Sequence, residues 1–104
     1  MRFLAGQTDV ATAGTAVALS SDGDITPSDQ ILWAQFKADP DNTTDVYVGV
    51  ADVSASDGFS LENTDATGLI IDPGKYEQTI AAEVIYFDAT TNGENVCWVL
   101  LLAN

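Results

Sequence analysis

The chain has 104 residues, with sixteen acidic and three basic side chains, a formal net charge of -13 and no histidine. That length suits one domain and is too short for two. The charge argues against a nucleic-acid binder and against docking on anionic lipid, and the missing histidine removes the commonest general base and metal ligand.

The apolar fraction of 46% fits a folded chain. Residues 1–14 show no clear period, and Gln7 to Gly14 are small and polar. They are expected to form an extended arm, dispensable for the fold, with Arg2, Phe3 and Leu4 at its tip as anchors for a partner. A short edge strand is the competing reading of the same residues. The N-terminal residues lack the apolar region of a signal peptide, and no apolar run approaches the ~20 residues of a membrane span. The chain therefore reads as a soluble protein made in the cytoplasm.

From Thr15 onward, short apolar stretches alternate with turn residues, the spacing of a sandwich or barrel occupying 15–104. Thr15 to Ser20 is a first strand, followed by turn chemistry in Ser21-Asp22-Gly23-Asp24 and Thr26-Pro27-Ser28-Asp29. Ile31 to Ala38 is a second strand, on which strict alternation puts Ile31 and Trp33 on one face and Ala34 and Phe36 on the other. Asp39-Pro40-Asp41-Asn42 ends it, and Asp45 to Val50 is a third strand placed to return as a hairpin. Phe59 to Leu61 and Leu69 to Ile71 are short strands, the latter closed by Asp72-Pro73-Gly74. Glu83 to Ala89 is a strand, and Thr91-Asn92-Gly93-Glu94 is a hairpin turn leading into the last strand, Val96 to Leu102.

That last strand is apolar on both faces, whereas a strand with one wet face alternates. Its second face is expected to meet another subunit, with Ile31, Trp33, Trp98 and Leu100 as contact candidates. Cover by the arm or by Lys75 to Ala82 is the alternative. Cys97, the lone cysteine, forms no intrachain disulfide and is expected to be a buried, unreactive thiol.

Little here suits bond-making chemistry. There is no Ser-His or Cys-His pair, no zinc spacing, no P-loop and no Gly-x-Gly-x-x-Gly. The acidic residues cluster with Gly, Pro, Asn and Ser, as turn residues do. Asp22-Gly23-Asp24 and Asp39-Pro40-Asp41-Asn42 offer oxygens for calcium but lack the spacing of an EF-hand loop. No catalytic residue, metal or cofactor is expected.

A resemblance adds to this. Val46-Tyr47-Val48-Gly49, then Val53-Ser54-Ala55-Ser56-Asp57-Gly58, then Leu61, resembles the "VYVG…VSASNG…L" signature of small structural proteins of tailed bacteriophages. Ile85-Tyr86-Phe87-Asp88-Ala89 with Thr91 to Val96 resembles their closing "IYVDA…NGE.V" segment, and Ala16 to Ser20 their "AVALSS" opening. The likeness spans most of Thr15 to Val99. Two departures stand out: a Pro-Gly turn follows the Leu69–Ile71 strand rather than preceding it, and Ile80-Ala81-Ala82 has no counterpart.

The resemblance implies a capsid decoration (cement) protein. Such proteins fold as β-sandwiches or jelly rolls, often as homotrimers. They bind the major capsid protein on the outer surface of the virion head and stabilise the expanded shell. The alternative is a carbohydrate- or receptor-binding module of a head fibre or tail part, for which Tyr47, Tyr86, Trp33 and Trp98 would have to align on one open face. The fold expected is thus an all-β, jelly-roll-like sandwich of about seven or eight short antiparallel strands.

Overall fold

The computed structural model describes residues 1–103. Its strands are β1 (Arg2–Val10), β2 (Val17–Ala18), β3 (Gln30–Ala38), β4 (Val46–Gly49), β5 (Phe59–Leu61), β6 (Leu69–Ile71), β7 (Ile80–Ala81), β8 (Tyr86–Ala89) and β9 (Glu94–Leu102). Three short 3-10 turns complete the regular structure. All strand pairs are antiparallel.

The strands form two sheets. One is five-stranded, in the order β1-β9-β3-β6, with β7 also pairing β3. The other is four-stranded, in the order β2-β8-β4-β5. With β7 set aside, the chain changes sheet at every connection except β4 to β5, so consecutive strands interleave across the sandwich. This is the jelly-roll arrangement of two Greek keys.

Two expected hairpins are therefore not hairpins. Ile31–Ala38 and Asp45–Val50 correspond to β3 and β4, which lie in different sheets. The Asn92-Gly93 turn likewise carries the chain from β8 in one sheet to β9 in the other. Gly93 does adopt a left-handed φ of 82°, as the turn chemistry demands. Turn residues mark where the chain reverses, but they do not decide which strand it then joins.

The core lies between the sheets. From the five-stranded sheet come Ala34 and Phe36, with Val96, Trp98, Leu100 and Leu102; from the other come Val46, Val48, Leu61 and Phe87. The Phe36 and Phe87 rings meet edge-on with centroids 5.6 Å apart, joining the layers. The 39–45 connection is fastened to β9. Glu94 accepts from Thr43 N at 3.0 Å and from its hydroxyl at 2.7 Å, while the Asn42 amide bonds both the N–H and the C=O of Asn95.

Residues 2–10 are not a free arm. They pair with β9 in an unbroken register from Arg2–Leu102 to Val10–Glu94. This is the edge-strand alternative, and a longer strand than that reading envisaged. Leu4, Gly6, Thr8 and Val10 face the core side, while Phe3, Ala5, Gln7 and Asp9 are exposed on the other. Arg2 pairs with Asp29 at 3.0 Å, anchoring the start of the strand.

Candidate functional site

The outer face of the five-stranded sheet is built by the residues of β1, β9, β3 and β6 that point away from the core. Register arranges them in rows. Phe3 lies beside Leu101, and Leu101 beside Trp33. The next row runs Ala5, Val99, Gln35 and Ile70; the next runs Gln7, Cys97 and Lys37. Phe3 is 69% exposed and Ile70 47%. Trp33, Val99, Leu101 and Cys97 are each half-buried, and at the β6 side the Gln35 amide donates to the Thr67 carbonyl at 2.6 Å, so the 62–68 connection borders the face. A shallow trough of about 590 Å³ runs over Ala5, Gln7, Cys97, Val99, Gln35 and Lys37.

Charge is nearly missing from this face. Asp9 and Lys37 are its only charged outward positions along the paired strands, in a chain with sixteen acids. The four-stranded sheet differs. On its outer side the Asp88 carboxylate is 3% exposed and accepts from Gly14 N at 2.9 Å, and the Tyr47 hydroxyl bonds Thr90 Oγ1 at 2.8 Å. One outer side thus carries internally bonded polar groups, with Val50 and Phe59 exposed at its margin, while the other is mostly apolar.

Strict alternation misassigned the β3 end of the open face. A β-bulge sets both Leu32 and Trp33 against Leu101, between the Ile31–Leu102 and Ala34–Leu100 pairs. The extra residue reverses the phase of the strand. Ile31 turns into the core at 0% exposure, and Trp33 alone of the two stays outside. Trp98 at 3% and Leu100 at 0% are also core residues. Of the four subunit-contact candidates, only Trp33 lies on the open face. The residues overlooked are Val99 and Leu101, the other alternation set of β9, with Ile70 on β6. The signal was present: the set holding Trp98 is the bulkier and fills the interior.

The proposed anchors also separate. Phe3 lies on the open face, Leu4 packs against the core and Arg2 is bonded to Asp29. Cys97 is half-buried on the outer face rather than enclosed in the core. Burial pushes its thiol up, Asp39 pushes the same way, and the bond from the Gln7 amide at 3.3 Å only partly offsets them. A thiol held protonated is a poor nucleophile.

The buried carboxylates have structural partners. Asp29 accepts from Arg2 and from Thr26 N, Asp88 from two backbone N–H groups, and Glu94 from Thr43. Asp22 and Asp39 accept from the backbone N–H two residues on, which is how Asx turns are made. Among the described residues no group of three or more His, Cys, Asp or Glu is placed to hold a metal, and no helix is long and apolar enough to cross a membrane. The aromatics expected to align do not: Trp98 and Tyr47 are buried, while Trp33 and Tyr86 belong to opposite sheets.

No family model, no curated protein and no solved structure matches this chain.

Proposed function

We propose that this chain is a non-enzymatic structural protein of a virion, a decoration protein that binds the major capsid protein on the outside of the head. One observation carries the reading: the apolar row Phe3–Leu101–Trp33 and its neighbours form an uncovered, nearly uncharged face on an otherwise strongly acidic molecule. Contiguous exposed apolar surface on a small soluble domain marks a contact site. Removing Phe3 alone from water is worth on the order of 1–2 kcal/mol, so the whole face supplies a moderate interaction. Repetition on a shell would multiply it, since linked weak contacts gain avidity of about 10²–10⁴. The surrounding acid suits the exterior of a head, away from packaged DNA.

The resemblance of the Val46–Gly49, Val53–Gly58 and Ile85–Val96 segments to phage structural proteins supports the same reading. A sugar-binding module has less support, because the four aromatics that would make its platform are dispersed. The test is to add the purified chain to expanded shells that lack it. Saturable binding at a fixed ratio to the capsid protein, with a higher shell melting temperature, supports decoration. Absence of binding refutes it.

A further inference from the structure

Jelly-roll sandwiches have four open sheet edges, and here three of them are short. The edge strands β2, β5 and β6 have two, three and three residues, and β7 beside β6 has two. The fourth edge is β1, with nine residues. A long edge presents a row of unpaired backbone donors and acceptors, which proteins normally blunt with lysine, proline, bulges or a covering loop. Between Arg2 and Val10 there is no lysine or proline, and the register with β9 runs without a bulge. The bonds that tie the following segment down start at Ala13 and run to Asn92 and Asp88, on the other side of the sandwich.

The chemistry of β1 favours a second β1. Its only charged residues are Arg2 at one end and Asp9 at the other. Arg2 stays 45% exposed while bonded to Asp29. Antiparallel pairing of two copies about Gly6 sets Arg2 opposite Val10 and Asp9 opposite Phe3 of the mate, so that no like charges meet along the seam of an otherwise acidic protein. Centred on Gly6, all nine residues pair, and a two-fold axis normal to the sheet keeps Phe3, Ala5 and Gln7 of both copies on the same outer side. Backbone bonding is satisfied by the same segment from each copy, the isologous contact of a closed dimer.

We infer that two copies of this chain associate edge to edge through β1, joining their five-stranded sheets into one continuous sheet with a doubled apolar face. This is a two-fold pair rather than the trimer that the phage resemblance implies, and it stands independently of the decoration reading. The large like charge of each copy opposes association, so pairing should strengthen as salt rises and the Debye length falls from about 30 Å at 0.01 M to about 10 Å at 0.1 M.

The test is sedimentation of the full chain over a wide concentration range, with amide exchange across β1. Expected is a reversible dimer, favoured by salt, with amides in residues 3–8 gaining protection as concentration rises. The double variant Ala5→Lys/Gln7→Lys alters two exposed side chains and sets ammonium groups opposite one another across the axis. It should weaken pairing about tenfold or more, because like charges directly opposite destabilise strand pairs. Val50→Lys/Phe59→Lys changes the net charge equally, just past the end of β4 and on β5, and should not weaken it. A monomer at every concentration, a trimer, or a dimer insensitive to Ala5→Lys/Gln7→Lys but dissolved by Trp33→Ser would overturn the inference. A dimer that behaves as expected yet ignores shells keeps it and removes the decoration reading.

Discussion

The indole nitrogen of Trp98 donates to the hydroxyl of Thr8 at 3.0 Å, and the same indole lies across Gly6. A Cβ built on Gly6 would sit 2.8 Å from Trp98 Cζ2. The ring of one strand thus takes the space of a side chain on the next and uses the hydroxyl two residues along to satisfy its only polar atom. Through this pair, together with Leu4 and Val10, β1 belongs to the core, although Gly6 and Thr8 are themselves small or polar.

Gly6→Ala should therefore be destabilising, by about 1–3 kcal/mol, the usual cost of overfilling a packed interior. Thr8→Val should cost a similar amount, roughly 1–3 kcal/mol, because the buried indole N–H loses its acceptor. Urea unfolding midpoints, followed by Trp fluorescence, measure both. Removing residues 1–14 should expose Trp98 and the flank of β9, giving an unfolded or molten chain rather than an intact domain lacking an arm.

That pair also shows what the sequence could reveal and what it could not. The strands β3, β4, β5, β6 and β9 were legible because their own side chains alternate or are bounded by turn residues. β1 was not, because Gly6 and Thr8 occupy inward positions where an apolar residue would announce a strand, and Trp98, distant in sequence, supplies the missing bulk. The open face was half legible. The doubly apolar β9 indicated a second contact surface, but not which alternation set formed it. The bulge at Leu32–Trp33 leaves no mark in the period of β3 beyond one extra residue, so alternation alone puts Ile31 on the wrong side. The jelly-roll connections were hidden for a further reason: turn residues carry no information about whether the next strand stays in its sheet.

Gly68 should be the least replaceable glycine. It has φ of +68°, and a Cβ there would fall 1.9 Å from the carbonyl oxygen of Phe36, where β6 joins β3. Gly68→Ala must displace backbone and is expected to cost more than 3 kcal/mol, above the usual range for overpacking. Gly93→Ala is the natural comparison. Its φ is +82° but nothing lies within 4 Å of the added atom, so only the conformational penalty of about 1–2 kcal/mol applies. Thermal unfolding of the two variants should separate steric from backbone strain.

Cys97 gives a pH prediction. Its thiol is raised from the ordinary 9.0 by burial and by Asp39. The folded state therefore resists ionisation more than the unfolded chain does. Linkage then makes the contribution of this group negative at high pH: stability is unaffected below about 9 and falls as the unfolded thiol ionises above it. Alkylation by iodoacetamide in native conditions should be slow at neutral pH, with a midpoint displaced above that of the urea-unfolded chain. A native midpoint at or below the unfolded one would contradict the assignment.

Glu94 and Thr43 clamp the 39–45 connection onto β9, with 2.7 Å between the carboxylate and the hydroxyl. Glu94→Ala should cost about 1.5–3 kcal/mol, the range for bonds to a charged group, and loosen residues 39–45 in amide exchange. Glu94→Gln keeps the acceptor oxygen and should recover part of the loss.

The central claim is that the outer face of the five-stranded sheet holds this protein to another surface. Its most direct measurement is the affinity of Leu101→Ser and Trp33→Ser for expanded shells, beside Val50→Ser, which is 61% exposed in the parent and lies elsewhere. Folded variants are expected, with shell binding weakened tenfold or more by the first two and unchanged by the third. Equal binding by all three would contradict it.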